Sequence, residues 1–548
     1  MTHIKIILKN IVGFIDSKPK ILLFMLLMIF FIHCYVSSFK NSVTADEFAH
    51  LPAGLLYWKT GDFRIYYQNP PLIKLMASFP LLFSPAELPN KFKGRWGLGY
   101  GFMIKNKDIY HLLFVLGRIV IILLSLFTAW LLFRFASETL GTKAALFSVF
   151  LFIFSPNIIA HSYLVTTDIG AALGIMAALY ILWKFLNDPS PKLLLLCGIV
   201  FGLAQLTKFS TLILIPAFPV LIILNYFFGI KKLNLKKMIL TILIIFFIGI
   251  LIINSCYLFK GSFKPIYTYS FRSSFFMALA SFTPEWLPIP YPKDYISGLD
   301  AQKYESDRRP VPVYLFGKLS PSGWWYYFLF AFFLKTPIPI IILFFWFISI
   351  YLYNLVQGKK DFFFIYIFTF IVMYLVSFSL SVINLGVRYI LPIYPLIFLL
   401  SGYLIKQIGF KGKILLLALS IWLVINTSLI YPNHLSFFNE ITGGFQNGYK
   451  YLADSNIDWG QDLISLKKYL YKNKIDSIYL SHFGLVDPQV YGIKYKPLPP
   501  YPVKGRIAIS VNHLLGISPW KKTGESFSWL RELEPDDRAG YSILIYRL

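Results

Sequence analysis

The stretch TADEFAHLPAGLLYWKTGDFRIYYQNPPLIKL, Thr44 to Leu75, follows closely on an apolar run from Ile21 to Tyr35 and opens with two adjacent carboxylates, Asp46 and Glu47. Ionised side chains are costly beside a hydrocarbon layer unless a partner or a reaction uses them. What surrounds this pair therefore decides both the fold and the chemistry.

The surroundings are apolar. The chain is 57% hydrophobic, 19% aromatic and only 14% charged over 548 residues, with a mean hydropathy of +0.63, whereas soluble domains carry roughly 25% charged residues. Runs long enough to cross a core about 30 Å thick, each of ~20 residues, fall near 20–38, 110–133, 143–161, 168–186, 193–208, 210–228, 238–258, 337–356, 362–382, 388–406 and 413–431. The fold class is an α-helical polytopic membrane protein of about eleven spans. No small-residue cleavage site follows the first run, which is expected to stay as an anchor.

The lysines of the short connections set the orientation. With a cytoplasmic N-terminus, the inner side collects Lys5, Lys9, Lys18, Lys20, Lys231, Lys232, Lys236, Lys237, Lys359 and Lys360, among others, and the short outer connections hold only Lys208 and Arg388. Positive charge favours the inside. The expectation is a multi-pass protein of the inner or plasma membrane with segments 40–109, 259–336 and the tail outside. The net charge of +26 then needs no nucleic acid, since headgroups and an anionic substrate account for it. Cys34, Cys197 and Cys256 lie in or beside spans, which argues against a disulfide framework.

Two domains are expected, 1–431 in the membrane and 432–548 outside it. In the first outer loop LIKLMASFPLLF is too short to span and reads as an interfacial helix. The second outer loop ends in GWWYYFLFAFFLKTP, an aromatic belt broken by prolines. The tail's SIYLSHFG, RIAISVN and SILIYRL are short and β-branched, hence strands, and WGQDLISLKKYLYKN has helical periodicity. The tail is thus a small extracytoplasmic α/β domain.

Reactive groups gather where spans meet the outer surface: Asp46, Glu47 and His50, then His161 and Asp168 in HSYLVTTD, Lys208 in LTKFST, and Arg388 in NLGVRYILP. Lys208 and Arg388, with Lys74 and Lys335 as further candidates, suit a phosphate or pyrophosphate, arginine in bidentate fashion. A carboxylate sheltered near such cations suits a general base toward an incoming hydroxyl or amine. The pattern points to transfer of a group from a phosphate leaving group.

The ordered set ADE, QNPPLIK, VTTD, GLAQLTKFS, GWWYYFLFAFFLKTP and NLGVRYILPIYP resembles the bacterial branch of the GT-C membrane glycosyltransferases, related to protein O-mannosyltransferases and to the aminoarabinose transferases of lipid A. The resemblance covers nearly the whole chain. It implies transfer of a hexosyl or pentosyl group from a polyprenyl-phosphate carrier, with inversion, to a protein, lipid or polysaccharide acceptor. It implies Asp46 as the base, Glu47 as its orienting neighbour, and Asp168 in the acceptor or sugar pocket, to which His50, Asn69 and His161 are assigned by their place on the same outer side. Lys208 and Arg388 match basic positions suited to the carrier phosphate. Asn69 departs from the histidine of the mannosyltransferase HPPLGK motif, which sets a protein acceptor in question.

No cofactor is required by these residues, although Asp46, Glu47 and His50 lie close enough in sequence to leave a divalent cation open. Asp454, Asn456 and Asp458 have the alternate spacing of a calcium loop, but Trp459 and Ser465 stand where such a loop needs Gly and Glu, and a turn capping the following helix is the simpler reading. His434, His482 and His513 have no zinc-ligand spacing. Two rivals remain: a lipid-linked sugar flippase, and a ligase that moves a whole oligosaccharide. Charges confined to one face favour an enzyme over a transporter, whose site lies near the midplane.

Overall fold

The computed structural model describes residues 17–308, 312–382, 384–517 and 527–548. Lys5 and Lys9, used above for orientation, lie outside the described residues. Among the described residues eight helices are long and apolar enough to cross a membrane: Pro19–Lys40, Tyr110–Leu140, Asp168–Asn187, Phe209–Phe228, Leu235–Cys256, Ile338–Val356, Phe362–Ser379 and Phe410–Leu429. A ninth is broken, Thr142–Ile153 and Pro156–Ser162 meeting at 68°; Pro156 brings no amide hydrogen to continue the ladder. The expected runs 193–208 and 388–406 are shorter apolar helices, Pro191–Gln205 and Leu391–Gln407, as is Leu72–Phe83.

Of the eight spanning helices, Asp168–Asn187 is the most enclosed, with 72% of its apolar window buried, and it packs between Tyr110–Leu140 and Pro191–Gln205. Leu235–Cys256, by contrast, turns most of its side chains outward. This gradient from an enclosed centre to apolar outer helices is what a bundle surrounded by lipid requires.

The two long connections and the tail meet at one end. Val43 N–H donates to the Tyr491 hydroxyl at 3.0 Å, Asn439 N–H to Leu334 O at 3.0 Å, and Gln68 Nε2 to Glu305 at 3.1 Å. After Leu429 the chain passes through short 3-10 turns at 434–436, 440–442, 448–450 and 454–456, then forms the helix Leu463–Lys472 and a five-stranded sheet. Across the sheet the strands run Tyr495–Pro497, Ile478–Ser481, Arg506–Ser510, Ile543–Arg547, Asp537–Ala539, the first three parallel and the last two antiparallel to their neighbours. The tail is the expected small α/β unit.

One ion pair closes the seam between the first connection and the bundle. Arg118 Nε and Nη2 bond Glu47 Oε1 and Oε2 at 2.8 and 2.7 Å, and both side chains are fully buried. Every other arginine donor used here meets a carbonyl: Ser38 O, Asn41 O and Ser42 O. Glu47 in turn accepts from Thr44 N and Oγ1 and from Val165 N. Burial alone would raise the Glu47 carboxyl, and Arg118 overrides it, leaving the group below its ordinary range. Removing one partner strands a charge in the interior. Glu47→Gln or Arg118→Met is therefore expected to cost ~3–5 kcal/mol, and the double variant less than the sum, as read by thermal unfolding in one detergent.

Candidate active site

Asp46 sits immediately before the helix Glu47–Thr60, on backbone held by the tail: Ala45 N–H donates to Trp459 O at 3.0 Å and Ser42 N–H to Gln461 O at 2.9 Å. Its Oδ2 accepts from Arg388 Nη1 at 2.7 Å. The pair is less enclosed than Glu47–Arg118, with side-chain exposures of 25% for Asp46 and 12% for Arg388. The Trp459 ring lies 4.3 Å from the guanidinium carbon of Arg388. Trp459 thus bears on both partners, through the Ala45 amide that its carbonyl binds before Asp46 and through the ring that Arg388 covers.

The Arg388 loop is fixed from the same side. Val387 N–H donates to Asn456 Oδ1 at 2.9 Å, and Asn456 Nδ2 to the Tyr327 hydroxyl at 2.8 Å. Gly386, at φ +103°, leaves no room for a side chain, since a Cβ there would stand 2.9 Å from Ser455 Oγ. Asp454–Asp462 is therefore a brace between the two loops.

Beside the pair opens a cavity of about 260 Å³ with Asp46, Arg388, Lys208, Arg95, Glu305 and Tyr66 among its walls. Lys208 Nζ lies 2.6 Å from Asp168 Oδ1 and 4.4 Å from the centre of the Tyr389 ring. Behind it Asp168 Oδ2 accepts from Thr166 Oγ1 at 2.9 Å and lies 3.7 Å from His161 Nδ1. Asp168 and His161 stand outside the cavity wall, Asp168 behind Lys208 and His161 beside the Trp459 ring.

His50 and Asn69 do line the cavity. His50 Nδ1 is 2.9 Å from Val165 O; a carbonyl only accepts, so Nδ1 carries the proton. Burial pushes His50 down to about 4, so near neutral pH it is an uncharged imidazole with Nε2 left as an unpaired acceptor.

Besides Asp168 and His161, three more of the expected residues do not face the cavity. Glu47 is turned into the Arg118 pair and cannot orient a substrate directly. Lys74 is buried, its ammonium donating to the Tyr57 hydroxyl, Tyr66 O and Asn69 O at 3.0, 2.6 and 2.8 Å. Lys335 is equally buried and donates to Leu435 O and Asn456 O at 2.8 and 2.5 Å. These two lysines knit loops together where a phosphate contact was expected. The physical reason is the same for both: a long stem carries the ammonium past the surface into a cluster of carbonyls.

Residues not singled out in the sequence take their place. Arg95 stacks 4.9 Å from the Tyr66 ring and lies 3.5 Å from Glu305, which also accepts from Gln68. Of the three cavity cations it has the most distant carboxylate partner, since Lys208 and Arg388 hold theirs at 2.6 and 2.7 Å. Nothing in KGRWGLGY marks Arg95 as special. Arg118 did carry a signal, as a lone charge inside the apolar run FVLGRIVII.

The divergence of Asp46 and Glu47 bears on a metal as well. The two carboxylates point to different arginines, and among the described residues no group of three or more His, Cys, Asp or Glu side chains is placed to hold an ion.

Burial depresses the Lys74 ammonium well below its ordinary value of 10.5. The folded state thus releases this proton at lower pH than the unfolded state does, and stability rises with pH between the depressed value and 10.5. Lys74→Met is expected to lack that rise, which melting curves of both chains across the alkaline range will show.

The model of the dolichyl-phosphate-mannose-protein mannosyltransferase family matches residues 109–253. The chain resembles the GT-C membrane glycosyltransferases. The matched segment includes Arg118, His161, Asp168 and Lys208, but neither Asp46 nor Arg388. No curated protein sequence matches. Among solved structures, ArnT from Cupriavidus metallidurans bound to undecaprenyl phosphate is 12% identical over 96% of this chain and 98% of its own, with a TM-score of 0.48. Its apo form is 16% identical over 72% of this chain and 61% of its own, at 0.44. The archaeal oligosaccharyltransferase AglB from Archaeoglobus fulgidus, in complex with an inhibitory peptide and a dolichol-phosphate, is 12% identical over 76% and 55%, at 0.47. The chain thus spans less than two thirds of the apo ArnT and AglB chains.

Proposed function

We propose that this protein is a glycosyltransferase that moves a sugar from a polyprenyl-phosphate carrier to an acceptor at the extracytoplasmic face of the membrane. The observation that carries the reading is a shared wall. Lys208 and Tyr389 line both the polar cavity at Asp46 and a second cavity of about 420 Å³ walled by Phe209, Leu212, Phe276 and Phe378. A phosphate beside Lys208 would thus have cations on one side and room for hydrocarbon on the other. The motif resemblance and the family match over 109–253 support the same chemistry.

In this reading Arg388 and Lys208 bind the carrier phosphate, with Arg95 as the third cation facing the donor. The acceptor oxygen attacks the anomeric carbon as the bond to the phosphate oxygen breaks, which inverts that centre. Asp46 takes the acceptor's proton. Its Oδ1 lies outside the 2.7 Å bond that Oδ2 makes with Arg388, and a phosphate arriving at Arg388 would loosen that bond and free the second oxygen. The leaving polyprenyl phosphate keeps the bonding pair, and the two cations stabilise its charge. Neutral His50 Nε2 can accept a hydrogen bond from a sugar or acceptor hydroxyl.

The test is transfer of labelled sugar from polyprenyl-phosphate donors to an envelope extract in proteoliposomes. Asp46→Asn is expected to lower transfer by about 10²–10⁴-fold with folding intact. Labelled lipid that crosses the bilayer with every donor intact would replace this reading with the flippase. Trp459→Ala is expected to lower kcat by about 10-fold, since a desolvated cation–π contact is worth ~1–2 kcal/mol. Trp459→Phe should recover part of it, and Trp459→Ala combined with Arg388→Lys should fall well short of the product of the single effects. Multiplicative losses would show that Trp459 acts only on the fold.

A further inference from the structure

The spanning helix Leu235–Cys256 ends shortly before an element that folds back on itself. Lys264–Pro265 pairs antiparallel with Pro288–Ile289, and the helix Ser274–Ser281 sits between them. That helix buries none of its residues. Around it Leu258, Phe263, Phe275, Phe282 and Trp286 are 62, 57, 56, 88 and 71% exposed.

Such a set is costly in water, at roughly 25 cal/mol per Å² of apolar surface, and large apolar side chains exposed together within one short element mark an interface. Its occupant is indicated by where it lies. Leu258 is two residues beyond the spanning helix, a distance of at most about 7 Å even for extended chain. The element therefore leaves the protein at the bilayer surface, continuous with a helix whose own exposed face must meet lipid. Exposed Lys260, Lys264 and Arg272 flank the apolar side chains, with Glu285 the one carboxylate of the segment, as suits anionic headgroups.

We propose that residues 258–289 form a monotopic hairpin seated among the phospholipids of the leaflet on the side of the long connections. Phe275 and Phe276 of its helix also line the apolar cavity that shares Lys208 with the candidate active site, so the hairpin is the lipid-side wall of that cavity. A part in admitting the carrier lipid rests on the transferase reading; the seat in the leaflet does not.

The experiment measures depth in the full chain in nanodiscs of phosphatidylcholine and phosphatidylglycerol. A bimane label is placed at Phe282→Cys or Phe275→Cys with the three native cysteines replaced. Phe247→Cys within the span and Tyr471→Cys on the tail, whose side chain is 89% exposed, serve as references. The expected result is loss of fluorescence with lipids carrying a doxyl group high on the acyl chain, and resistance to aqueous iodide. Quenching by iodide alone, as at position 471, would overturn the proposal, and so would protection from both quenchers, which would mean that protein covers the element. A benzophenone residue at position 282 of the otherwise unaltered chain supplies a second readout: crosslinking to phospholipid is expected, and crosslinking only to protein or to nothing contradicts the seat. Neither readout requires transfer activity, so failure here and failure of the transferase reading are distinct results.

Discussion

The Glu47–Arg118 pair is the constraint on which the candidate site depends. A guanidinium with no exposure at all is tolerated because its donors meet the two Glu47 oxygens and three carbonyls of the loop 38–42. The same carboxylate accepts from Val165, whose carbonyl holds His50. One buried pair thus sets the end of the first span, the start of the helix Glu47–Thr60 and the loop before Asp168 relative to one another. Asp46, carried at the start of that helix, pairs with Arg388 at the cavity wall.

A second set of contacts reaches the site from the far end of the chain. The residues 454–462 touch the loop before Asp46 and the loop around Arg388, so an ion pair between positions 342 residues apart is bridged by a third segment. The tail is therefore part of the candidate site through its first thirty residues, and the α/β unit that follows is bonded back to them, Ser542 Oγ donating to Asp462 Oδ2 and Asn512 Nδ2 to Asp458 O, each at 2.8 Å. This division follows from composition. The stretch 432–462 is rich in Asn, Gly and Asp, which bond locally to backbone and suit irregular, loop-filling structure, and the strands begin only where β-branched residues recur.

Much of this was legible in the sequence, and the exceptions have a common cause. Apolar run length located the spanning helices, because lipid leaves the backbone no alternative, and β-branched clusters located three of the sheet's five strands, Tyr495–Pro497 and Asp537–Ala539 having no β-branched residue. Asp46, Lys208 and Arg388 were legible because each is a charge beside an apolar run. Lys74 and Lys335 satisfied the same criterion and lie elsewhere, since charge and position do not say whether a flexible stem points into a cavity or back into a knot of carbonyls. Arg95 and Glu305 were invisible because they come from separate loops of ordinary composition, and only the packing of those loops brings the two charges to one cavity.

The adjacent carboxylates show the limit of reading by sequence neighbourhood. Asp46 and Glu47 look like one functional unit, yet successive positions at a helix start diverge by about 100° around its axis, and here the two side chains meet different partners, one Arg388 and one Arg118. Each carboxylate meets an arginine, but burial separates their roles. The pair sealed from solvent is fixed and can only position. The pair with partial access is the one that faces the cavity, which forms where it meets two further cations, Lys208 held by buried Asp168 and Arg95 held by Glu305 and the Tyr66 ring.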